Sequence, residues 1–190
     1  MKKTMIVIGL LVVSGAVDAR ASTYAIDSDH AFAVFRAEHL GIGVTYGRFD
    51  KVSGSFELNE KQPSASSVQI MIDPASVNSG VKKRDGHLRG PDFLNAKQFR
   101  EFSFKSSVVK RVGDGRYEVK GTLKLRGVSK PLTVTVVSTG EGRDPWGGYR
   151  AGFKTSFELR RSEFGMTYGL SNGLVGDTIT VEFAVEGLRK

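Results

Sequence analysis

Apolar side chains recur at every second position through most of this chain, and a run of that period buries one face only when the backbone is extended. Over Arg116–Leu125, Tyr117, Val119, Leu123 and Leu125 share one parity with Gly121, while Arg116, Glu118, Lys120, Thr122 and Lys124 take the other. The same alternation runs through residues 52–58, 68–72 and 102–108 (Phe102, Phe104, Val108), and it returns at 132–136, 149–159 and 179–185. With residues 31–40 these make eight expected strands. Turn-forming stretches at Gly113-Asp114-Gly115, 142–145 and 173–177 separate several of them, the first reading as a tight hairpin. Alternating strands in such a series favour an antiparallel meander, and eight close into a barrel that leaves no edge exposed. The interior of such a barrel is filled by side chains or holds one small ligand.

Between residues 76 and 99 the alternation stops. Residues 81–89 and then 91–95 read as one or two short helical turns, with Pro91 suited to a first helical position. This insertion, carrying Phe93, Leu94 and Phe99, is either a lid over one barrel end or a surface connection. The expected fold is therefore all-β: an eight-stranded antiparallel barrel with a short helical insertion near residues 81–95.

The ends of the chain add a compartment. Lys2 and Lys3, an apolar run from Met5 to Val13, and Ala19-Arg20-Ala21 form the basic, apolar and small-x-small parts of an export signal. A membrane anchor needs about 18 consecutive apolar residues, and this run ends at Ser14-Gly15. Residues 1–21 are read as a cleavable signal and residues 22–190 as one domain, exported, soluble once cut, and not membrane-anchored. The chain has no cysteine, which removes disulfides, thiolate metal sites and cysteine nucleophiles together. A net charge of +8 leaves a modest basic excess after the signal is removed, compatible with an acidic headgroup or with no such partner.

Several chemical motifs fail in context. Gly169-Leu170-Ser171-Asn172-Gly173 matches a nucleophile elbow, but a strand follows it and no histidine lies beyond His87. Gly41-Ile42-Gly43-Val44-Thr45-Tyr46-Gly47 lacks the third glycine and the βαβ setting of a dinucleotide loop, and suits a bend in a curved strand better. His30, His39 and His87 show no ligand spacing, so no metal and no required cofactor are expected. Basic residues such as Lys120, Lys124, Arg150 and Lys154 fall opposite in parity to the aromatics, which argues against a nucleic-acid surface. What stands out is the aromatic supply, twelve phenylalanines against one tryptophan, mostly at inward parity. These either pack a solid core or line a channel for an elongated apolar ligand.

Taken in order, the local signatures resemble the YceI-like family of exported, lipocalin-shaped isoprenoid-binding proteins. They begin with Tyr24-Ala25-Ile26-Asp27-Ser28-Asp29-His30, His39, Gly47-Arg48-Phe49 and Gly54, and continue with Arg84-Asp85-Gly86-His87-Leu88, Asp92-Phe93-Leu94-Asn95, Phe99 and residues 102–106. Residues 121–131, Arg161-Ser162-Glu163-Phe164-Gly165 and Val175-Gly176-Asp177 complete them. Leu94-Asn95 stands where members often carry a second phenylalanine and an acid. The resemblance implies a lipocalin-like barrel holding a polyisoprenoid, such as a quinone tail or prenyl phosphate, and a non-enzymatic carrier or storage role in the periplasm. It also implies a homodimer in many members; transient contact with a membrane surface is a further expectation.

On this reading the channel is lined by Phe32, Val52, Phe56, Ile70, Phe93, Leu94, Phe99, Phe102, Phe104, Tyr117, Leu123, Phe153, Phe157, Phe164 and Phe183. Arg84, Asp85, His87 and Arg161 either define a mouth for a polar headgroup or hydrogen-bond the insertion to the barrel. Two other functions stay open: an enzyme acting on an isoprenoid or other amphiphile, with His39, Asp85 and His87 as its candidates, and a ligand-free, stress-related structural barrel.

Overall fold

The computed structural model describes residues 21–190. Apart from Ala21, the export signal expected over residues 1–21 lies outside the described residues. The strands are β1 (Ser22–His39), β2 (Gly43–Phe49), β3 (Val52–Leu58), β4 (Ser67–Ile72), β5 (Val77–Asn78), β6 (Phe102–Gly113), β7 (Arg116–Leu125), β8 (Val128–Arg143), β9 (Tyr149–Arg160) and β10 (Val175–Arg189). One helix, α1 (Lys82–Arg89), lies between β5 and β6.

Eight of these strands run β10-β9-β8-β7-β6-β4-β3-β1, and antiparallel pairing of β1 with β10 closes the ring. The remaining two are continuations. β1 pairs with β3 through residues 22–25 and with β2 through residues 33–39, so β2 and β3 together form one broken stave, and β5 extends β4 in the same way. The break is stitched by backbone bonds: Asp50 N donates to Ser76 O and Asp73 N to Lys51 O, each at 3.1 Å. The expected eight-stranded antiparallel barrel is the one found.

Alternation explains each wall. In β7, Tyr117, Val119, Gly121, Leu123 and Leu125 are buried, while Arg116, Lys120 and Thr122 are exposed. Gly121 is required by close approach: a Cβ there would lie 2.3 Å from the carbonyl oxygen of Lys105 on β6. The β7–β8 turn has only Arg126 and Gly127, both at positive φ (51° and 76°), the geometry whose twist matches paired strands. Arg126 is held in that costly conformation by donating to Pro91 O at 2.7 Å and to Gly165 O, and it lies 5.9 Å over the Phe99 ring.

Bulges invert the parity inside single strands. Tyr24 and Ile26 belong to the inner clusters, but the pairing of β1 with β10 shifts between Ile26 and Ala31, after which Ala31, Ala33 and Phe35 face in. Phe32 is therefore outside, 49% exposed, which corrects its expected place in the channel. A second bulge between Ser106 and Val108 of β6 exposes Val108 and turns Val109 inward, reversing the expected facing.

Helix α1 follows a short tight segment rather than a side-chain N-cap. The Asp85 carboxylate accepts from Ser79 N at 2.7 Å and Ser79 Oγ at 2.6 Å, and these bonds hold its pKa below the usual carboxylate range. Arg84 donates to Ser79 Oγ and Ser79 O, completing a knot that fixes the start of the helix against β5. Residues 91–95 form turns, not a second helix.

Candidate ligand chamber

The barrel interior is not filled. It holds two chambers that share Phe102 as a wall. The first, of about 130 Å³, lies in the body of the barrel and is bounded by Phe56, Phe104, Tyr117, Phe153, Phe157 and Phe183 with aliphatic residues between them. The second, of about 280 Å³, lies under α1 at the end of the barrel and combines Phe35, Phe49, Phe93 and Leu94 with Arg84, His87 and Arg161. At the waist Phe49 and Phe102 meet edge to face, with centroids 5.7 Å apart.

The polar groups concentrate in the second chamber. Arg161 is 2% exposed, and each of its three nitrogens donates to a backbone carbonyl: Nε to Gly176 O, Nη1 to Met166 O and Nη2 to Val175 O, at 2.7–2.8 Å. Burial lowers its pKa and the carboxylate of Asp177 opposes that shift. An arginine stays charged in a protein, so the chamber holds a fixed positive charge, 5.8 Å above the ring of Phe93. His87 Nε2 is 2.8 Å from Asp92 Oδ2, and the imidazole stands edge-on to Phe93 and Tyr168 at 5.0 and 4.8 Å.

Of the residues expected to line a channel, Phe56, Ile70, Phe102, Phe104, Tyr117, Leu123, Phe153, Phe157 and Phe183 border the first chamber, and Phe93, Leu94 and again Phe102 the second. Four do not border either. Phe32 points outward, for the parity reason above. Val52 and Phe164 are buried in the core cluster that also contains Phe49 and Leu125. Phe99 sits outside against the β7–β8 turn, where a Cβ on Gly127 would come within 2.9 Å of its ring. Of the four expected mouth residues, Arg84, His87 and Arg161 border the second chamber, whereas Asp85 is turned away into its bonds with Ser79.

Phe35, Phe49, His39, Val109 and Tyr168 also line the chambers and went unnamed in the channel expected from sequence. Phe35 was recoverable from its shared parity with Ala31, Ala33 and Ala37; Val109 was not, because the bulge before it leaves no mark in the letters. Among the described residues no three His, Asp or Glu side chains gather closely enough to hold a metal ion, and no helix is long and apolar enough to cross a membrane.

A closed eight-stranded barrel with an apolar interior and one helix at its end defines the lipocalin-like class of β-barrel. Residues 24–187 match the model of the YceI-like domain, and the chain belongs to that family. It is 42% identical over 173 residues to a UPF0312 protein of Yersinia pestis (strain Pestoides F), covering 90% of this chain and 88% of the relative. Among solved structures it is similar to Burkholderia cenocepacia BcnA, with a TM-score of 0.77 and 24% identity, over 85% of this chain and 98% of the other. A polyisoprenoid binding domain from Saccharophagus degradans, implicated in plant cell wall breakdown, shares the fold with a TM-score of 0.68 at 16% identity, over 88% and 98% of the two chains.

Proposed function

We propose that the protein is a non-enzymatic carrier for a long-chain isoprenoid, a quinone or a prenyl phosphate, in the periplasm to which the export signal of residues 1–21 directs it. The observation that carries this reading is the pair of chambers meeting at Phe102, apolar along the barrel and basic at the helical end. Pockets for drug-sized ligands span about 300–1,000 Å³, and neither chamber alone reaches that range, so a narrow chain that turns the Phe102 ring aside at the waist and occupies both suits the interior better than a compact ligand. An isoprenoid tail fits this shape. Each buried methylene contributes about 0.8 kcal/mol, so the barrel supplies affinity and Arg84, Arg161 and His87 orient the head. The polyisoprenoid binding named for the Saccharophagus degradans domain supports the same class of ligand.

His87 is paired with Asp92 and the Asp85 carboxylate is committed to Ser79; this favours holding a lipid over transforming it. No cofactor is needed. Native mass spectrometry of the exported protein, followed by organic extraction, tests the proposal. Chemically unaltered isoprenoid in stoichiometric amount is expected. A preparation that carries no lipid and takes up neither long-chain quinones nor prenyl phosphates would sink it.

A further inference from the structure

The hairpin joining β1 and β2 breaks the rule that the outer face of a barrel in water is polar. Leu40, Ile42, Val44 and Tyr46 are 50%, 87%, 49% and 61% exposed, and they follow one another along the tip and outward side of the hairpin. The tip is well built: Gly43 pairs with His39, Leu40 and Gly41 take positive φ, and Leu40 N donates to Leu174 O at 3.1 Å. It is therefore a fixed apolar projection.

This projection borders the mouth of the second chamber, which its own His39 and Thr45 help to line together with Arg84 of α1. β5 runs antiparallel to β2 with Asn78 opposite Arg48, so the chain leaves β5 heading toward the hairpin tip and enters α1 there. Its first turn brings Lys82, Lys83 and Arg84, all exposed, to the same end of the barrel. Arg36 is likewise exposed and faces Tyr46 across the hairpin. Apolar side chains at the leading edge with cations around them match an anionic bilayer, whose interior accepts the first and whose headgroups attract the second.

We propose that this end of the protein docks on anionic membranes, with the Leu40–Tyr46 tip in the interfacial layer and Lys82 and Lys83 on the headgroups. The mouth then abuts the bilayer, so an isoprenoid enters without crossing water. The carrier reading supplies the purpose of docking, while docking itself is measured without any isoprenoid.

Trp146 gives an internal control. It is 82% exposed in the β8–β9 turn, at the opposite end of the barrel from the β1–β2 hairpin. Two proteins are mixed with vesicles of brominated phosphatidylcholine and phosphatidylglycerol: the wild type, and the double variant I42W with W146F. Strong quenching of the indole in I42W and none of Trp146 is expected. Vesicles of phosphatidylcholine alone should bind weakly. Replacing both Lys82 and Lys83 by Glu should weaken partition by more than about thirtyfold, since each cation near a charged surface contributes about 1 kcal/mol and the two new carboxylates are repelled. I42D should abolish docking and slow quinone transfer from vesicles while leaving uptake from detergent unchanged.

Equal quenching at the two ends, or no co-sedimentation of wild type with anionic vesicles, would overturn the proposal. So would a dimer in sedimentation equilibrium that I42D dissociates, because a second copy would then cover the tip. Wild type that docks but takes up no isoprenoid leaves docking standing and removes the carrier reading.

Discussion

Phe49 and Phe102 meet at the waist of the barrel with ring planes at 79° and centroids 5.7 Å apart, and the Phe102 side chain is a wall of both chambers. One ring thus separates the apolar bore from the basic vestibule beneath α1.

Phe102→Ala is expected to join the chambers. Truncating a buried phenylalanine costs about 3–5 kcal/mol when the void stays open, and Phe102 is 4% exposed. Thermal unfolding of the variant should show a large loss without ligand, and a stabilisation by a long-chain quinone greater than in wild type because the tail refills the space. An unchanged increment from ligand would place the chain elsewhere.

Gly47→Ala should narrow the vestibule. A Cβ at Gly47 would lie 2.3 Å from the Phe35 Cζ, and the ring, being the free end of its side chain and a wall of the second chamber, should be pushed into that chamber. Overpacking of this kind costs about 1–3 kcal/mol, so isoprenoid binding should weaken by about tenfold with the fold intact. Gly43→Ala, with nothing within 4 Å of the added carbon, is the matched control. Titration by calorimetry distinguishes the two.

Arg84 and Arg161 should separate by role. Arg84 is exposed and donates to Ser79 Oγ and Ser79 O, so Arg84→Gln should weaken prenyl phosphates more than quinones, with a stability loss of about 0.5–1.5 kcal/mol per lost bond that falls on both ligands alike. Arg161→Gln strands buried carbonyls of Met166, Val175 and Gly176, and unsatisfied buried acceptors cost about 1–3 kcal/mol each. Its main effect should appear in denaturant unfolding. An equal loss of both ligand types in Arg84→Gln would remove the headgroup role.

At the opposite end of the barrel Arg150 joins Asp27, Asp144 and Glu186, with its Nη1 2.6 Å from Asp27 Oδ2. The guanidinium of Arg150, with help from His30, lowers the Asp27 carboxyl from its ordinary 3.8 to about 2. A depressed carboxylate stabilises the fold fully above its unfolded value, and that contribution fades as pH falls through the folded one. Stability should therefore drop between pH 3.8 and about 2, and Asp27→Asn should flatten this part of the curve. Urea midpoints across that range test the sign.

Much of the barrel is legible in the letters because side-chain parity is a local property. β7 shows it best, its two faces separating residue by residue. The inward phenylalanines of β6, β9 and β10 follow from the same pattern. What stayed hidden depends on register. The bulge after Ile26 sends Phe32 outward, and the bulge at Ser107 exchanges Val108 for Val109; neither is encoded by hydrophobicity alone. Asp85 looked like a mouth group because it sits between Arg84 and His87 on one short helix. Its carboxylate turns back to Ser79, whose place beside the helix start is set by the β5 crossing. Residues 41–47 read as a bend in a curved strand, and the strand there starts at Gly43; what the letters did not show is that its Gly47 makes room for Phe35.

The most direct test of the account is a measurement of where the tail lies. Isotope-filtered NOEs between an unlabelled long-chain quinone and the labelled protein should connect prenyl methyls to the rings of Phe56, Phe157 and Phe183 in the bore and to Phe35 and Phe102 above it. Contacts confined to exposed residues such as Phe32 and Tyr46, or none at all, would contradict a carrier that threads its cargo through both chambers.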